Sequence, residues 1–279
     1  MKLSIITVNL NDKVGLQKTA NSIVSQTFKD YEWIVIDGGS TDGSKSVIES
    51  YADRIAYWVS EPDKGIYNAM NKGIEKANGE YMLFLNSGDW LVDENTLADC
   101  FAVGFDADVM YGDSLFVFED KTEEYRYPSP LTFKDLYRGF LGHASSFIKS
   151  ELIKGEKYNE NYKIASDWEF WIKLSLRNAS FRHIDKFVSY FDTTGISSTD
   201  DKLRKRERNQ VIAEFVAKMI IEDYGYIKQL ENQLDDNQVK QVLQYGNKKK
   251  VYHKLITLCL MVIRNIEKIN CGLNRTKKQ

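Results

Sequence analysis

Hydrophobic positions in the first hundred residues fall into short unbroken runs separated by amphipathic stretches. Leu3 to Val8, Trp33 to Ile36, Ile55 to Val59 and Tyr81 to Leu85 are apolar runs bounded by turn residues. That is the pattern of strands covered on both faces. Between them, Leu16, Ala20, Ile23 and Val24 mark one face of a helix running to about Ser25. Val47 and Ile48 mark a second helix, and Ile66 to Lys76 reads as a third, closed by Asn78-Gly79. Strand and helix alternating at this spacing predict right-handed βαβ units. The fold class is α/β, a mostly parallel sheet flanked by helices.

After Asp93 the pattern loosens. Leu97 to Ala102 predicts a short helix, and Asp108 to Asp113 a strand. Leu115 to Phe118 and Glu124 to Tyr127 alternate as antiparallel edge strands do. Tyr125 to Arg138 reads as loop plus short helix, Ala144 to Ile148 as a strand, and Phe181 to Phe191 as another. Ser166 and Glu169 have the spacing of a capping box, opening an amphipathic helix through Leu176. Thr193 to Asp201 is a polar loop, and from about Lys202 onward the pattern is helical. This gives a domain over 1–200 and a helical C-terminal extension over 201–279.

Polar residues at the carboxyl ends of the apolar runs are the candidates for chemistry, because ligands of open α/β sheets collect there. The run Tyr81 to Leu85 leads into Asn86-Ser87-Gly88-Asp89, where a carboxylate can hold a hard cation or cap the next loop. Asp37, at the end of the second run, can accept from a base or ribose, or cap a helix. In Asp63-Lys64-Gly65-Ile66-Tyr67-Asn68-Ala69-Met70-Asn71-Lys72-Gly73, polar residues interrupt a helical face and Lys72 can face a phosphate or solvent. Asp167 in the first turn of its helix is favoured as the ionised form by the helix dipole, which suits a general base or a plain first-turn acid. His143 precedes a strand and is open to either a structural or a catalytic role.

Composition narrows this little. Hydrophobic residues make up 43% and charged ones 28% of the 279, ordinary for a soluble globular protein. Cys100, Cys259 and Cys271 give neither a disulfide framework nor a zinc spacing. The start, Met1-Lys2 and then the first strand, has no room for a signal peptide, so a cytoplasmic setting is expected. Charge is uneven: residues 248–279 hold nine Lys or Arg against one Glu, and the first 247 hold 29 against 39, a net of −10. An acidic body with a basic tail does not suggest a nucleic-acid binder; it suggests a tail that meets an anionic surface.

Four ordered segments, Ser4 to Asn9, Asp37 to Gly43, Asp63 to Gly73 and Leu85 to Asp89, resemble the family 2 glycosyltransferases of the GT-A (Rossmann-like) fold, of the type that builds bacterial polysaccharides such as capsule or O-antigen. The resemblance covers roughly Lys2 to Ser198, with a nucleotide-sugar half of about 1–112 and an acceptor half of about 113–200. It implies that Thr7, Asn9 and Asp37 line the nucleotide pocket, with Asp63, Lys72, Asn86 and Ser87 near the ribose and sugar-phosphate. It implies Asp89 as the remaining carboxylate of the metal motif, holding Mn2+ or Mg2+, and Asp167 as the catalytic base. His143 and Ser197, in Gly195-Ile196-Ser197-Ser198, fall among acceptor-side or lid residues. Two departures stand out: Asn86 and Ser87 occupy places where a stricter motif has more carboxylate, and Ser166 stands where the family usually has Glu.

The implied reaction is inverting transfer of a hexosyl or N-acetylhexosaminyl group from a nucleotide-diphosphate-sugar, by family habit a UDP-sugar, to a saccharide or lipid-linked hydroxyl. The tail adds helical stripes at Ile227, Leu230 and Leu234, then Val239, Val242 and Leu243. Beyond Lys248-Lys249-Lys250, Val251, Leu255, Leu258, Val262, Ile266 and Ile269 share one face. The apolar run is far short of the ~20 residues of a spanning helix. It suits either a helix lying on the cytoplasmic face of an anionic inner membrane or an ordinary packed helix or oligomer contact. Rival readings are a non-catalytic nucleotide-sugar or carbohydrate binder and a sugar nucleotidyltransferase. The latter relies on a Gly- and Arg-rich loop after the first strand, which Asn9 to Lys13 does not supply. A missing Gly-x-Gly-x-x-Gly disfavours nicotinamide cofactors.

Overall fold

The computed structural model of the protein describes residues 1–139, 141–195, 200–216, 221–222 and 225–226. The chain divides into two units, Met1–Phe215 and Val216–Gln279. The first unit therefore runs beyond the change of pattern near Asp200 and includes the first C-terminal helix. The helical stripes read from Ile227 to Ile269 lie outside the described residues, as does Ser197.

In chain order the elements are β1 (Leu3–Asn9), α1 (Lys13–Val24), β2 (Tyr31–Asp37), α2 (Ser44–Ser50), β3 (Tyr57–Ser60), α3 (Ile66–Lys76) and β4 (Tyr81–Phe84). Then come β5 (Trp90–Leu91), α4 (Thr96–Ala102), β6 (Val109–Val117), β7 (Thr122–Tyr125), α5 (Phe133–Arg138), a 3-10 turn (His143–Ser145) and β8 (Ser146–Lys149). The unit ends with α6 (Ser150–Gly155), α7 (Ser166–Leu176), β9 (Phe181–Asp192) and α8 (Asp201–Phe215).

Among the described residues one sheet carries nine strands, in the order β3-β2-β1-β4-β8-β6-β9-β5, with β7 beside β6. The first four strands are parallel, β1 pairing Ile5 with Trp33 of β2 and with Leu83 of β4. Beyond β4 the sheet is mixed: β8 runs antiparallel to both β4 and β6, whereas β9 is parallel to β6 through an irregular register between Tyr111 and Ser114. The apolar runs are strands for the expected reason: Leu3, Ile5, Trp33, Val35, Tyr81 and Leu83 are fully or almost fully buried among α1, α2 and α4. At about 25 cal/mol per Å2 of apolar surface removed from water, these side chains dominate the unit's stability.

The structure departs from the local expectations in several places, and the strands expected over Asp108 to Asp113 and Leu115 to Phe118 are one strand, β6. The strand expected over Ala144 to Ile148 begins as a 3-10 turn and becomes β8 only at Ser146. The two-residue β5 and the short α6 have no periodicity to read. The capping box is not formed: Ala165 is the N-cap of α7, and the Ser166 hydroxyl instead accepts from the Asn159 N–H at 2.6 Å. The carboxylate of Glu207, from α8, takes the backbone N–H groups of Lys163, Ile164 and Ala165 at 2.9, 2.9 and 3.0 Å.

Candidate active site

The carboxyl ends of β1 and β4 open into a cleft of about 980 Å3 whose walls include residues of α3, β6, α7, β9 and α8. Asn9, Asp63, Asn86, Ser87, Asp89, His143 and Asp167 all line it. Elements far apart in sequence converge here because the parallel strands end at one edge and α7 starts there.

Asp89 sits in the turn after β4. Gly88, at φ +94°, takes the left-handed conformation that the turn needs. The Thr19 hydroxyl of α1 donates to the Asp89 carbonyl oxygen at 2.6 Å and pins its backbone. The carboxylate is 4% exposed and accepts the Asp192 N–H at 3.0 Å. Burial pushes its pKa up to about 7; the charge of His143 and the N–H of Asp192 oppose this, and the Asp192 carboxylate adds to it. Among the described residues no group of three or more His, Cys, Asp or Glu is placed to hold a metal. One buried carboxylate with an open oxygen suits a magnesium-like ion that completes its shell with ligand phosphates and water.

Asp167, in the first turn of α7, is gripped from several sides. The Tyr67 hydroxyl of α3 lies 2.9 Å from Oδ1 and 2.6 Å from the Ile164 carbonyl oxygen. The Trp168 N–H donates to Oδ1 at 2.8 Å, and His143 Nδ1 lies 3.4 Å from Oδ2. Burial, then the charge of Asp167, raises the Tyr67 pKa well above its ordinary value, so the phenol keeps its proton. The carboxylate is partly open to the cleft, its side chain 24% exposed.

His143 joins the two acidic positions. Burial alone lowers its pKa, but the hydrogen bond and charge of Asp167 and the charge of Asp89 outweigh it, and the net shift is upward. Its Nε2 stands 2.9 Å from Asn86 Nδ2. In that orientation Asn86 Oδ1 is buried without a partner. A half-turn of the amide would offer that oxygen to a protonated Nε2–H instead.

Three of the expected residues lie away from the cleft lining. Thr7 is fully buried, and its hydroxyl accepts from Trp33 Nε1 at 3.0 Å within the core. Lys72 pairs with Glu61 at 2.7 Å. Asp37 lies beside Asn9 across β1 and β2, fully buried, and takes hydrogen bonds from Asn9 Nδ2, the hydroxyls of Ser40 and Ser60, and the Ser40 N–H. Burial pushes its pKa up, but those four bonds prevail and hold it below the ordinary value. Asn9, its register partner on β1, lines the cleft with its own Oδ1 buried and unpartnered. The polar interruptions of α3 anchor the segment that precedes α7. Asn71 bonds both backbone groups of Tyr158, and Asn68 and Asn71 hold Glu160.

Tyr67, Arg204 and Arg208 also line the cleft and were not singled out in the sequence. Tyr67 reads there as one more aromatic on an apolar helical face. The arginines fall in the highly charged stretch Lys202 to Arg208, where nothing distinguishes one cation from the next.

A family model described as Glycosyl transferase family 2 matches residues 4–165. An uncharacterized glycosyltransferase of Mycobacterium tuberculosis is 32% identical over 213 residues, 70% of this chain and 77% of that protein. GalNAc(5)-diNAcBac-PP-undecaprenol beta-1,3-glucosyltransferase of Campylobacter jejuni is 30% identical over 65% of this chain and 62% of its own length. Among solved structures, S. aureus TarS 1-349 in complex with UDP-GlcNAc superposes with a TM-score of 0.60 at 22% identity, over 77% of this chain and 72% of that one. This chain spans 43% of the TarS chain in a longer crystal structure. The match to the family model covers more than half of the 279 residues, and the chain belongs to glycosyl transferase family 2.

Proposed function

We propose that this glycosyltransferase is an inverting, metal-dependent enzyme that moves a sugar from a UDP-sugar to a hydroxyl of a saccharide or lipid-linked acceptor. The observation that carries the reading is the setting of Asp167. It is a partly open carboxylate at a helix start, oriented by Tyr67, Trp168 N–H and His143, in one cleft with the buried Asp89. The acceptor hydroxyl loses its proton to Asp167 as its oxygen bonds to the anomeric carbon. The bond from that carbon to the leaving phosphate oxygen breaks on the opposite face, and its electron pair departs with the nucleoside diphosphate. General-base assistance of this kind contributes on the order of 10²–10⁴ in rate. Asp89 would hold a divalent cation, which would compensate the charge that grows on the leaving diphosphate.

Asn9, Asp63, Asn86 and Ser87 are assigned to the donor, with Asp37 acting through Asn9. The UDP-GlcNAc complex of TarS supports a UDP donor, and the name of the Campylobacter relative supports an acceptor on a prenyl diphosphate. The basic segment 248–279 suits contact with an anionic membrane surface where such acceptors reside; among the described residues no helix is long and apolar enough to cross a membrane. The test is thermal unfolding against UDP, GDP, CMP and NAD, each with and without Mn2+. A rise with UDP that depends on Mn2+ is expected. A rise with NAD alone, or none with any nucleotide, overturns the reading.

A further inference from the structure

Arg208 lies on α8 with its guanidinium 4.1 Å from the centre of the Trp168 ring. Its Nη2 donates to the carbonyl oxygens of Tyr137 at 3.0 Å and Gly139 at 2.8 Å. Those two bonds use the protons of Nη2, so the N–H groups of Nη1 and Nε remain for another acceptor. Among the described residues no carboxylate pairs with this guanidinium. Arg204, one turn earlier and paired with Asp201, also lines the cleft, as do Arg138 and Lys163. Burial, then the charge of Arg204, lowers the Arg208 pKa to about 10, against the charge of Asp167, which raises it. A half-buried cation beside another cation, bonded to neutral carbonyls and an aromatic face and with the charge of Asp167 nearby but not paired to it, is costly unless an anion completes it.

The place of this cation indicates which anion. Hydrogen bonds trace a line from Asn86, beside Asp89, through His143 to Asp167. Trp168 follows Asp167 in the chain, and Arg208 covers Trp168. Asp89 is thus linked to the base through Asn86 and His143, and Arg208 meets the base's neighbour Trp168 by a separate contact. The side of the base away from the leaving group is where the attacking hydroxyl must enter.

We propose that Arg208, with Arg204, forms a second anion site that holds a phosphate or diphosphate carried by the acceptor. The proposal rests on the reading of Asp167 as base and Asp89 as the donor-side carboxylate. Guanidinium groups suit this ligand because their planar fork matches phosphate oxygens and forms charge-assisted pairs. Anchoring the acceptor through its phosphate would hold its hydroxyl at Asp167 without contacts that read the sugar itself.

The test is calorimetric titration of the full chain with farnesyl diphosphate, farnesol and inorganic pyrophosphate, each with UDP and Mn2+ already saturating. Wild type, Arg208→Gln, Arg208→Lys and Arg204→Gln are compared after thermal unfolding shows that each is folded. The expected result is binding of farnesyl diphosphate and not of farnesol, weakened about tenfold or more in both Gln variants and less in Arg208→Lys, with UDP affinity within about twofold. Binding of pyrophosphate as tight as that of farnesyl diphosphate still supports the site, since the phosphates alone would then be recognised. Equal farnesyl diphosphate affinity in all variants overturns the proposal, and so does displacement of farnesyl diphosphate by UDP, which would assign the arginines to the donor. Failure of the wild type to bind any nucleotide sinks the donor reading instead, and the farnesyl diphosphate comparison still decides the second site.

Discussion

The hydroxyl of Tyr67 stands 2.9 Å from the carboxylate of Asp167 and 2.6 Å from the carbonyl oxygen of Ile164. One proton serves two acceptors, and that arrangement suits a base that changes charge. While Asp167 is ionised, the phenol proton can face it; once Asp167 has taken a proton, the phenol can accept from the acid and donate to Ile164. Tyr67→Phe removes this without opening a large cavity. A hydrogen bond to a charged group is worth about 1.5–3 kcal/mol, so turnover should fall ten- to a hundredfold while UDP affinity stays unchanged. Single-turnover rates and UDP titration of the same preparation separate the two. A variant that turns over at the wild-type rate would remove Tyr67 from the account.

Asp167→Asn keeps the shape and the N–H contact from Trp168 but cannot take a proton. Turnover should drop by at least about 10²-fold, with donor binding nearly intact. A retained rate above about a tenth of wild type would mean that another group is the base.

Asp89 carries a stability cost that depends on pH. Its pKa is raised from an ordinary 3.8 to about 7 in the folded protein, so the folded state holds this proton more tightly than the unfolded chain does. The contribution is present in full below about pH 4 and is lost as pH rises through about 7. Three pKa units correspond to about 4 kcal/mol at most. Asp89→Asn, whose side-chain oxygen can still accept from the Asp192 N–H, escapes this loss. In chelator, it should melt several degrees above wild type at pH 8 and show a smaller gap at pH 5. The same variant should lose metal-dependent stabilisation by UDP. Parallel melting curves for the two proteins from pH 5 to pH 8 would refute the buried-acid account.

Burial explains which parts of the fold were legible in the sequence. β1, β2 and β4 are covered on both faces, so their apolar runs are unbroken, and Asp89 follows β4 at the edge where the cleft opens, whereas Asp37 ends β2 buried behind it. The antiparallel partners β8 and β6 are joined by long-range pairing, to which local periodicity is blind; this is why the sheet reads as mostly parallel and is in fact mixed beyond β4. At α7 the spacing of Ser166 and Glu169 met the rule for a capping box, but a competing partner won. Ser166 turned to Asn159, and Glu207 from 42 residues downstream of Ala165 took the free N–H groups. In α8 the described buried residues are Glu207 and Val211. A helix so charged shows no apolar stripe, and a buried carboxylate among exposed ones leaves no local trace.

Glu207 shows what such a residue does. Its carboxylate, 3% exposed, collects three backbone N–H groups from the segment that leads into Asp167, while Tyr67 holds Ile164 from the carbonyl side. The segment is thus fixed by α8 on its donors and by α3 on its acceptor, and the base inherits that position. Glu207→Gln keeps one good acceptor oxygen but puts an amide donor against an N–H. It should cost about 1–3 kcal/mol of stability and shift Asp167 enough to reduce kcat about tenfold, since a misplacement of the order of 1 Å can cost far more. Glu207→Asp keeps the charge on a shorter arm and should recover part of kcat. The discriminating readout is kcat against UDP affinity at a temperature where every variant is folded. A loss of stability with kcat unchanged would make Glu207 a structural clamp with no bearing on the base.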